Sequence, residues 1–350
     1  MQLLIWNIYI VERIGNETLK CASNDEKGKI PQYDSFPSHD GLSRVDFCVW
    51  LPDSIEDIQG IVQIVHGMSE YKERYDKFAR FLTNYGYVVC AHDHIGHGNT
   101  ARSEDVLGCF ETPLGHEVLL EDTYELTKII KLRYAHNEDI PFILFGHSMG
   151  SFIVRNYVAR YPNACDQLIV SGTAHQAFYI SALGNFVSRA VSKCKGPHYK
   201  SPLLNSLGIG SFSKAIKNPR TEFDWLSTNQ EVVDAYINDP YCGFAFSAQS
   251  YQALTALTKE MVLPATFESA NKNLKILFVS GGQDPVGKQG ADVKQAARMY
   301  KKQGIDCRVI IYPNMRHEIL NENGSDKVMK DIIDWIQSSR RNESKYEGEA

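Results

Sequence analysis

Residues 146–150, with the sequence Gly-His-Ser-Met-Gly, carry the clearest chemical signature in the chain. This G-x-S-x-G motif directly follows the apolar run 142–145 and directly precedes a stretch of helical periodicity. Between a strand and a helix, two glycines permit a tight turn that exposes the serine hydroxyl at the N-terminus of the helix. The motif predicts that Ser148 is a nucleophile. The alternative is a glycine turn with only a structural role.

A serine becomes an effective nucleophile when a base accepts its proton and a carboxylate orients that base. Asp284 follows the predicted strand 276–279, and His317 follows the next predicted strand. Their separation of 33 positions accommodates one helix and one strand, so the two loops are expected to lie side by side at one sheet edge. The chain order therefore predicts a triad of Ser148, Asp284 and His317.

Each of the last two residues has a structural alternative. Asp284 precedes a proline and would serve equally as a turn former or helix cap. His317 would be a surface histidine paired with its neighbour Glu318. Asp306 and Glu318 are the other nearby carboxylates, but neither lies just beyond the carboxyl end of the appropriate strand.

An oxyanion hole requires two preorganised backbone N–H donors. Met149, the residue after the nucleophile, is predicted to supply one. The loop after the apolar run 62–65 is predicted to supply the other through Met68, with Gly67 permitting the turn.

Two polar groups near these loops have competing interpretations. His92, His94 and His97 flank Asp93, which would suit a metal ion, but the predicted mechanism needs no metal and no other cofactor. The alternative is a tight loop in which these side chains bond to the backbone.

Glu70 and Arg74 are spaced for an i,i+4 ion pair, and their position beside the oxyanion loop also suits contact with a polar head group.

The elements that position these residues alternate from residue 44 onward. Short apolar runs at 62–65, 87–90, 142–145, 168–170, 274–279 and 309–312 predict strands, with helices between them. This pattern predicts an α/β fold, a mostly parallel sheet with helices on both faces. Asp40-Gly41 predicts a hairpin between two edge strands.

The alternation stops between about residues 173 and 246, where helical patterns replace strands. We predict a helical cap inserted over the carboxyl edge of the sheet, with a capping box of Ser227 and Gln230 before one of its helices. The predicted organisation is an N-terminal extension (1–31), the first core part (32–173), the cap (174–245), the second core part (246–338) and a polar tail (339–350).

Composition sets outer limits on the function. The net charge of −5 gives no basic surplus for a nucleic-acid partner. The first apolar run, 1–11, is too short to span a bilayer and lacks the features of a secretory signal. Eight cysteines occur singly, without a C-x-x-C pair, which is typical of reduced thiols in a cytoplasmic protein.

The chain resembles the monoacylglycerol lipase and lysophospholipase branch of the α/β-hydrolases, which includes proteins like the S33 serine aminopeptidases. The resemblance spans about residues 33–338. It is carried by segments 66–70, 74–75, 93–98, 146–150, 282–284 and 317–318. Ser151 departs from a glycine that is common in the family, and the cap matches no family motif.

This resemblance implies an α/β-hydrolase fold in which Ser148, Asp284 and His317 act as nucleophile, orienting acid and base. It also implies a cap over an apolar acyl tunnel, with the head group near Glu70, Arg74 and His147. We predict a serine hydrolase that cleaves carboxylic esters of one long acyl chain through an acyl-enzyme.

The alternatives are a small-ester esterase or aminoacyl-amide peptidase on the same scaffold, and a non-catalytic scaffold protein. The expected partner is a lipid or small-molecule ester. The amphipathic stretch 183–191 is expected either to make transient contact with a membrane or micelle or to pack against the sheet domain.

Overall fold

The computed structural model describes residues 30–136 and 139–344. Most of the predicted N-terminal extension and the end of the polar tail therefore lie outside the described residues. The strands are β1 (Gln32–Pro37), β2 (Arg44–Trp50), β3 (Gly60–Val65), β4 (Tyr87–His92), β5 (Phe142–His147), β6 (Gln167–Ser171), β7 (Lys275–Gly281) and β8 (Asp306–Tyr312). They form one sheet in the order β1-β2-β4-β3-β5-β6-β7-β8.

The helices are α1 (Asp76–Thr83), α2 (Gly115–Tyr134), α3 (Met149–Arg160), α4 (Phe178–Lys195), α5 (Pro202–Leu207), α6 (Gly210–Ser213), α7 (Gln230–Asn238), α8 (Ala248–Glu260), α9 (Pro264–Glu268), α10 (Ala291–Lys302) and α11 (Ser325–Ser344). Short 3₁₀ turns span Lys72–Tyr75, Gly98–Thr100, Glu104–Val106 and Ile319–Asn321. No helix within these described ranges is long and apolar enough to cross a bilayer.

The predicted hairpin is confirmed at the sheet edge. β1 and β2 pair antiparallel, and the Asp40 carboxylate closes the turn by accepting the backbone N–H groups of Leu42 and Ser43, both at 2.7 Å. β2 also pairs antiparallel with β4, whereas all further pairs are parallel. β3, β4 and β5 are buried throughout because helices cover both faces of the sheet.

Two apolar layers enclose the sheet. On one face, α2 and α3 pack their buried side chains against the central strands, α10 packs against β7 and β8, and α8 packs on α2 and α3. On the other face, α1 and α11 do the same, with Phe78 and Trp335 among the buried residues. α11 continues to Ser344, past the residue at which the polar tail is predicted to begin.

The parallel register aligns the carboxyl ends of the central strands. Val65 pairs with Gly146, His147 with Ser171, and Gly281 with Tyr312. The loops that follow β3, β5, β7 and β8 therefore meet at one edge of the sheet, where a ligand site in an open α/β sheet is expected.

Helices α4 to α7 lie in the chain between β6 and β7, in the region predicted to be the cap. α4 packs on α8, where the Asn185 amide donates to Thr255 at 3.1 Å. The predicted capping box is wrong in one respect. Asn229, not Ser227, caps α7 by accepting the Glu231 N–H at 3.0 Å, because Asn229 is the extended residue directly before the helix.

Candidate active site

Ser148 occupies the turn between β5 and α3 with φ 51° and ψ −118°, in a backbone region that L-residues rarely adopt. The flanking glycines are required by close backbone approach. A Cβ on Gly146 would lie 2.5 Å from the Gly150 carbonyl oxygen, and a Cβ on Gly150 would lie 2.6 Å from that of His66. The sequence thus forces the serine into a strained position at the sheet edge, where it lines a cavity.

Asp284 and His317 meet at this edge, as their positions after β7 and β8 predict. His317 Nδ1 lies 3.0 Å from Asp284 Oδ2, and both side chains are buried. The other Asp284 oxygen accepts the Val286 N–H at 2.9 Å, which fixes the carboxylate. Of the alternative carboxylates, Asp306 is exposed and Glu318 pairs with a different residue.

The environment of His317 favours its charged form. Burial lowers its pKa, but the charge and hydrogen bond of Asp284 outweigh burial, so the pKa lies above the ordinary histidine value. Its Nε2 atom is buried and has no hydrogen-bond partner among the described residues, and the side chain lines the same cavity as Ser148.

Segment 224–227 holds the histidine loop from the side of the inserted helices. The Trp225 ring centroid lies 5.0 Å from that of His317, and the Trp225 carbonyl accepts the His317 N–H at 3.4 Å. The Leu226 carbonyl accepts the Glu318 N–H at 2.7 Å. These contacts could not be predicted from the sequence, because a lone tryptophan in a segment without a motif carries no signal.

Hydrogen bonds hold the loop after β3 and occupy the backbone N–H groups of the residues on either side of Met68. The Gly67 N–H donates to Glu70 Oε1 at 2.5 Å, and the Ser69 N–H donates to His97 Nε2 at 3.2 Å. Met68 lies between them and lines the cavity. Met149 is the first residue of α3, where a helical N–H has no acceptor four residues earlier.

Two of the three histidines beside Asp93 bond to the backbone through their rings. His94 Nε2 lies 3.2 Å from the His66 carbonyl oxygen, and His97 Nδ1 lies 2.9 Å from the Ile95 carbonyl oxygen. Neither ring nitrogen of His92 has a hydrogen-bond partner among the described residues. Burial lowers the pKa of His92 to about 3 and that of His97 to about 4, so both are neutral at pH 7.

The Asp93 carboxylate is occupied by Lys72, whose Nζ lies 2.7 Å away, and by the Asn99 N–H at 2.8 Å. Within the part of the chain that the structure describes, no group of three or more His, Cys, Asp or Glu side chains is arranged to hold a metal ion.

The predicted ion pair between Glu70 and Arg74 is present, and Arg74 also binds a third residue that the i,i+4 spacing does not indicate. Arg74 Nη1 donates to Glu70 Oε2 at 2.9 Å, and the Arg74 guanidinium also donates to both Glu318 oxygens at 2.8 and 2.7 Å. Tyr75 donates its hydroxyl proton to Glu70 at 2.9 Å. This buried bridge, defined here as Glu70, Arg74 and Glu318, links the loop after β3 to the residue beside His317.

The two carboxylates of the bridge respond differently to burial. Burial raises the pKa of Glu70, which Arg74 only partly offsets, whereas Arg74 outweighs burial at Glu318 and lowers its pKa to about 2. Glu70 and Glu318 line the cavity. The family resemblance implies contact between Arg74 and a head group, but Arg74 is not among the described residues that line the cavity. It lies between the two carboxylates and supports them.

His147 also lines the cavity, with its ring centroid 4.7 Å from that of His317. Its Nδ1 lies 3.3 Å from the Ser171 hydroxyl. Burial, followed by the neighbouring His317, holds its pKa well below the ordinary value, so the ring is neutral and able to donate or accept a hydrogen bond.

These side chains face a cavity of about 480 Å³ with two chemically different parts. Ser148, His317, His147, Glu70 and Glu318 form the polar part. The rest of the wall is largely apolar and comes from α3, α4, α5 and α8, including Phe152, Val187, Leu204, Tyr251 and Leu254. This volume and lining are typical of a small-molecule site.

A mostly parallel eight-stranded sheet, helices on both faces and a serine on the turn between β5 and α3 define an α/β-hydrolase. The chain belongs to the serine aminopeptidase S33 family, whose model matches residues 56–324. The predicted fold class and family resemblance are thus confirmed.

Individual relatives point to lipases and esterases. The chain is 28% identical to a monoacylglycerol lipase of Mycolicibacterium smegmatis, covering 85% of this chain and 94% of that protein. It is 26% identical to the monoglyceride lipase of Rattus norvegicus, covering 83% and 86% of the two chains. Its structure is similar to that of a thermostable carboxyl esterase from Bacillus coagulans in complex with glycerol, with a TM-score of 0.82, 29% identity and coverage of 89% and 99%. The chain is therefore a hydrolase similar to monoacylglycerol lipases.

Proposed function

We propose that this protein hydrolyses carboxylic esters of a single long acyl chain, with monoacylglycerol as the preferred class of substrate. The observation that carries the proposal is the cavity. Ser148 and His317 line it, His317 is hydrogen-bonded to Asp284, and four helices contribute to its apolar wall. The monoacylglycerol lipases among the relatives support the same substrate class.

In the proposed reaction, His317 Nε2 accepts the proton of the Ser148 hydroxyl as its oxygen attacks the ester carbonyl carbon. Asp284 holds Nδ1 protonated and stabilises the imidazolium that forms. The carbon–oxygen bond of the ester then breaks, and the departing alcohol takes the proton from His317. Water repeats the cycle on the acyl-enzyme and releases the fatty acid and free Ser148.

The backbone N–H groups of Met68 and Met149 are proposed to bind the oxyanion that forms in each half-reaction. For Met68 this proposal rests on its neighbours, because Gly67 and Ser69 already donate their N–H groups elsewhere. For Met149 it rests on the free amide at the start of α3. Removing one oxyanion donor typically costs about 10²- to 10³-fold in kcat.

The head group is proposed to lie in the polar part of the cavity, against His147 and Glu70. Hydroxyl groups of glycerol can donate to the Glu70 carboxylate and exchange hydrogen bonds with the neutral imidazole. Arg74 supports this surface by keeping Glu70 in place, rather than by touching the substrate. The Bacillus coagulans esterase in complex with glycerol supports a polyol head group.

An aminoacyl-amide peptidase is the competing activity that the family name suggests. Such an enzyme needs a carboxylate that is available to a free ammonium group. The acidic residues that line the cavity are Glu70, Glu318 and Asp292. The first two share Arg74, and Asp292 pairs with Lys288 at 3.1 Å. This pairing favours an uncharged head group over an amine.

The test is fatty-acid release from a long-chain monoacylglycerol, measured beside lysophosphatidylcholine, a short-chain ester and an alanyl anilide. Ser148→Ala is the blank for each substrate. We expect the highest kcat/KM with the monoacylglycerol. Preference for the short ester alone would reject the acyl tunnel, and preference for the anilide would reject the esterase assignment.

A further inference from the structure

One hydrogen-bond donor in the wall of the cavity has no partner within the protein. Trp225 lines the cavity and is only 6% exposed. Its indole Nε1 is buried and has no hydrogen-bond acceptor among the described residues. A buried N–H group without an acceptor costs free energy, so such groups are rare in native proteins. The unpaired indole therefore indicates an acceptor that the chain itself does not supply.

Trp50 shows the ordinary arrangement of a buried indole in the same chain. It is 2% exposed, and its Nε1 donates to Asp76 Oδ1 at 2.8 Å. Trp50 is not among the described residues that line the cavity. The indole N–H of Trp50 thus stabilises the fold, whereas that of Trp225 is left for another molecule.

The segment that carries Trp225 is held firmly against the loop of the proposed base, so the unpaired donor does not result from a loose segment. The Glu322 carboxylate accepts the Thr228 N–H at 2.9 Å and the Arg316 N–H at 2.8 Å. The Arg316 guanidinium in turn donates to the Ser227 carbonyl at 3.2 Å. These bonds fix the backbone on which the indole stands.

Two aromatic neighbours fix the indole ring itself. Its centroid lies 5.0 Å from that of His317 and 5.1 Å from that of Phe212. In the proposed reaction His317 gives its proton to the departing alcohol, so a ring that packs on His317 lies near the alcohol part of the ester. The cavity is an unfilled space that this ring borders. An acceptor for the indole N–H is therefore expected from the head group of a bound substrate.

The polar groups in this part of the cavity suit a head group with hydroxyls. The indole Nε1 is a donor only, and the Glu70 carboxylate, when ionised, is an acceptor only. Hydroxyl groups can accept from Trp225 and donate to Glu70 or His147. A simple alkyl ester has no hydroxyl, so its binding would leave the indole N–H buried and unpaired.

We propose that the Trp225 indole N–H donates to a hydroxyl of the head group and determines the preference for polyol esters over simple alkyl esters. The inference rests on the proposed function and deepens it, because it names a residue that distinguishes a glycerol ester from other esters of the same acyl chain. Ser148 and His317 act on both esters alike. Trp225 therefore changes the preference and not the chemistry.

The test compares a monoacylglycerol with the ethyl ester of the same fatty acid. In Trp225→Phe, kcat/KM for the monoacylglycerol should fall by about 3- to 10-fold, which corresponds to the loss of one hydrogen bond between neutral groups. The value for the ethyl ester should change little. The matched control, Trp50→Phe, should leave the ratio of the two values as in the wild type.

Phenylalanine is smaller than tryptophan, so a second variant separates loss of the N–H from loss of ring volume. Benzothienylalanine, inserted at position 225 by stop-codon suppression, keeps the shape of the indole but has sulfur in place of N–H. The same loss of preference is expected, with a higher urea midpoint because an unpaired buried donor is removed. At position 50 this replacement should lower the urea midpoint, since it breaks the bond to Asp76.

The contact can also be observed without turnover, in Ser148→Ala protein. The indole N–H resonance that disappears in Trp225→Phe identifies this residue in the NMR spectrum. We expect this resonance to move downfield when the monoacylglycerol binds and to move less with the ethyl ester.

An equal loss of kcat/KM for both esters would show that Trp225 acts through His317, and would overturn the inference. An unchanged ratio in both variants would overturn it too, as would a lower urea midpoint for benzothienylalanine at position 225. Failure of the wild type to hydrolyse the monoacylglycerol would refute the proposed function, whereas the urea and NMR results would still decide the role of the indole.

Discussion

At the carboxyl edge of the sheet, charged side chains are buried and matched, whereas segment 174–221 exposes all its cations and several of its large apolar residues. Lys72 is fully buried against Asp93, and Arg74 is held between two carboxylates. Phe186 and all seven cations of the segment are exposed. Among the described residues, only Arg220 of these cations forms an ion pair. The first region therefore has a fixed geometry, and the second leaves charge and apolar surface open to solvent.

The two regions also differ in the signal that they leave in the sequence. A fixed geometry requires particular residues at particular backbone positions, and short motifs record that requirement. A surface that remains exposed sets no such requirement, so its charge and its apolar residues are visible in composition and exposure rather than in motifs.

The largest expected effect falls on the fixed region. Ser148→Ala and His317→Ala should each lower kcat by about 10⁶-fold, and the double variant should lose little more, because the residues act as a unit. The measurement is turnover of a short ester, with folding checked by circular dichroism. Retention of more than a few per cent of activity in a folded variant would remove Ser148 or His317 from the proposed mechanism.

A second effect concerns pH. Only the neutral imidazole of His317 can accept a proton, so activity should rise as pH passes through its pKa. This pKa is raised by Asp284 despite burial, so the acid limb of kcat/KM should have its midpoint above about 6.5.

Asp284→Asn should move that midpoint to lower pH and reduce kcat by about 10⁴-fold. Ser280→Ala is a suitable control, since its hydroxyl lies 3.3 Å from the same carboxylate without touching the histidine. An unchanged midpoint in Asp284→Asn would mean that another group sets the acid limb.

A third prediction compares two arginines with the same i,i+4 spacing. Arg74→Met leaves Glu70 and Glu318 buried without their cation, and should lower the free energy of unfolding by about 3–5 kcal/mol. Arg80→Met removes the exposed pair with Asp76 and should cost about 0.5 kcal/mol or less. Urea denaturation measures both, and equal costs would show that burial of the bridge has no energetic role.

The smallest expected effect falls on the inserted segment. Phe186→Ala should change the free energy of unfolding by no more than about 0.5 kcal/mol, because the ring is exposed. Phe145→Ala, in the buried core, should cost about 3–5 kcal/mol. A large cost for Phe186→Ala would mean that the ring stabilises the fold despite its exposure.

The positions of Ser148, Asp284 and His317 were accessible from the sequence because each follows a strand end, and parallel strands bring such ends to one edge. The hairpin at Asp40-Gly41 was accessible for a similar reason, since its turn chemistry is local. The partnership of Arg74 with Glu318 was not, because 244 residues separate them and no spacing rule joins them.

The same limit applies to the inserted helices. Their helical pattern was visible, but not which face of α4 contacts α8, since small residues such as Gly184 and Ser188 are not usual core formers. Trp225 was missed because its position beside His317 depends on the path of an irregular segment. Local sequence rules thus predict the helices, the strands and the residues at strand ends, whereas long-range packing determines the contacts between distant segments.

The central claim, that Ser148 is the nucleophile of a hydrolase, is tested most directly by a fluorophosphonate that reacts with activated serines. The labelled protein would be digested and the modified peptide identified by mass spectrometry. We expect one label per chain, on Ser148, that is abolished in Ser148→Ala and strongly slowed in His317→Ala. A label on another serine, or fatty-acid release by a protein that takes no label, would contradict it.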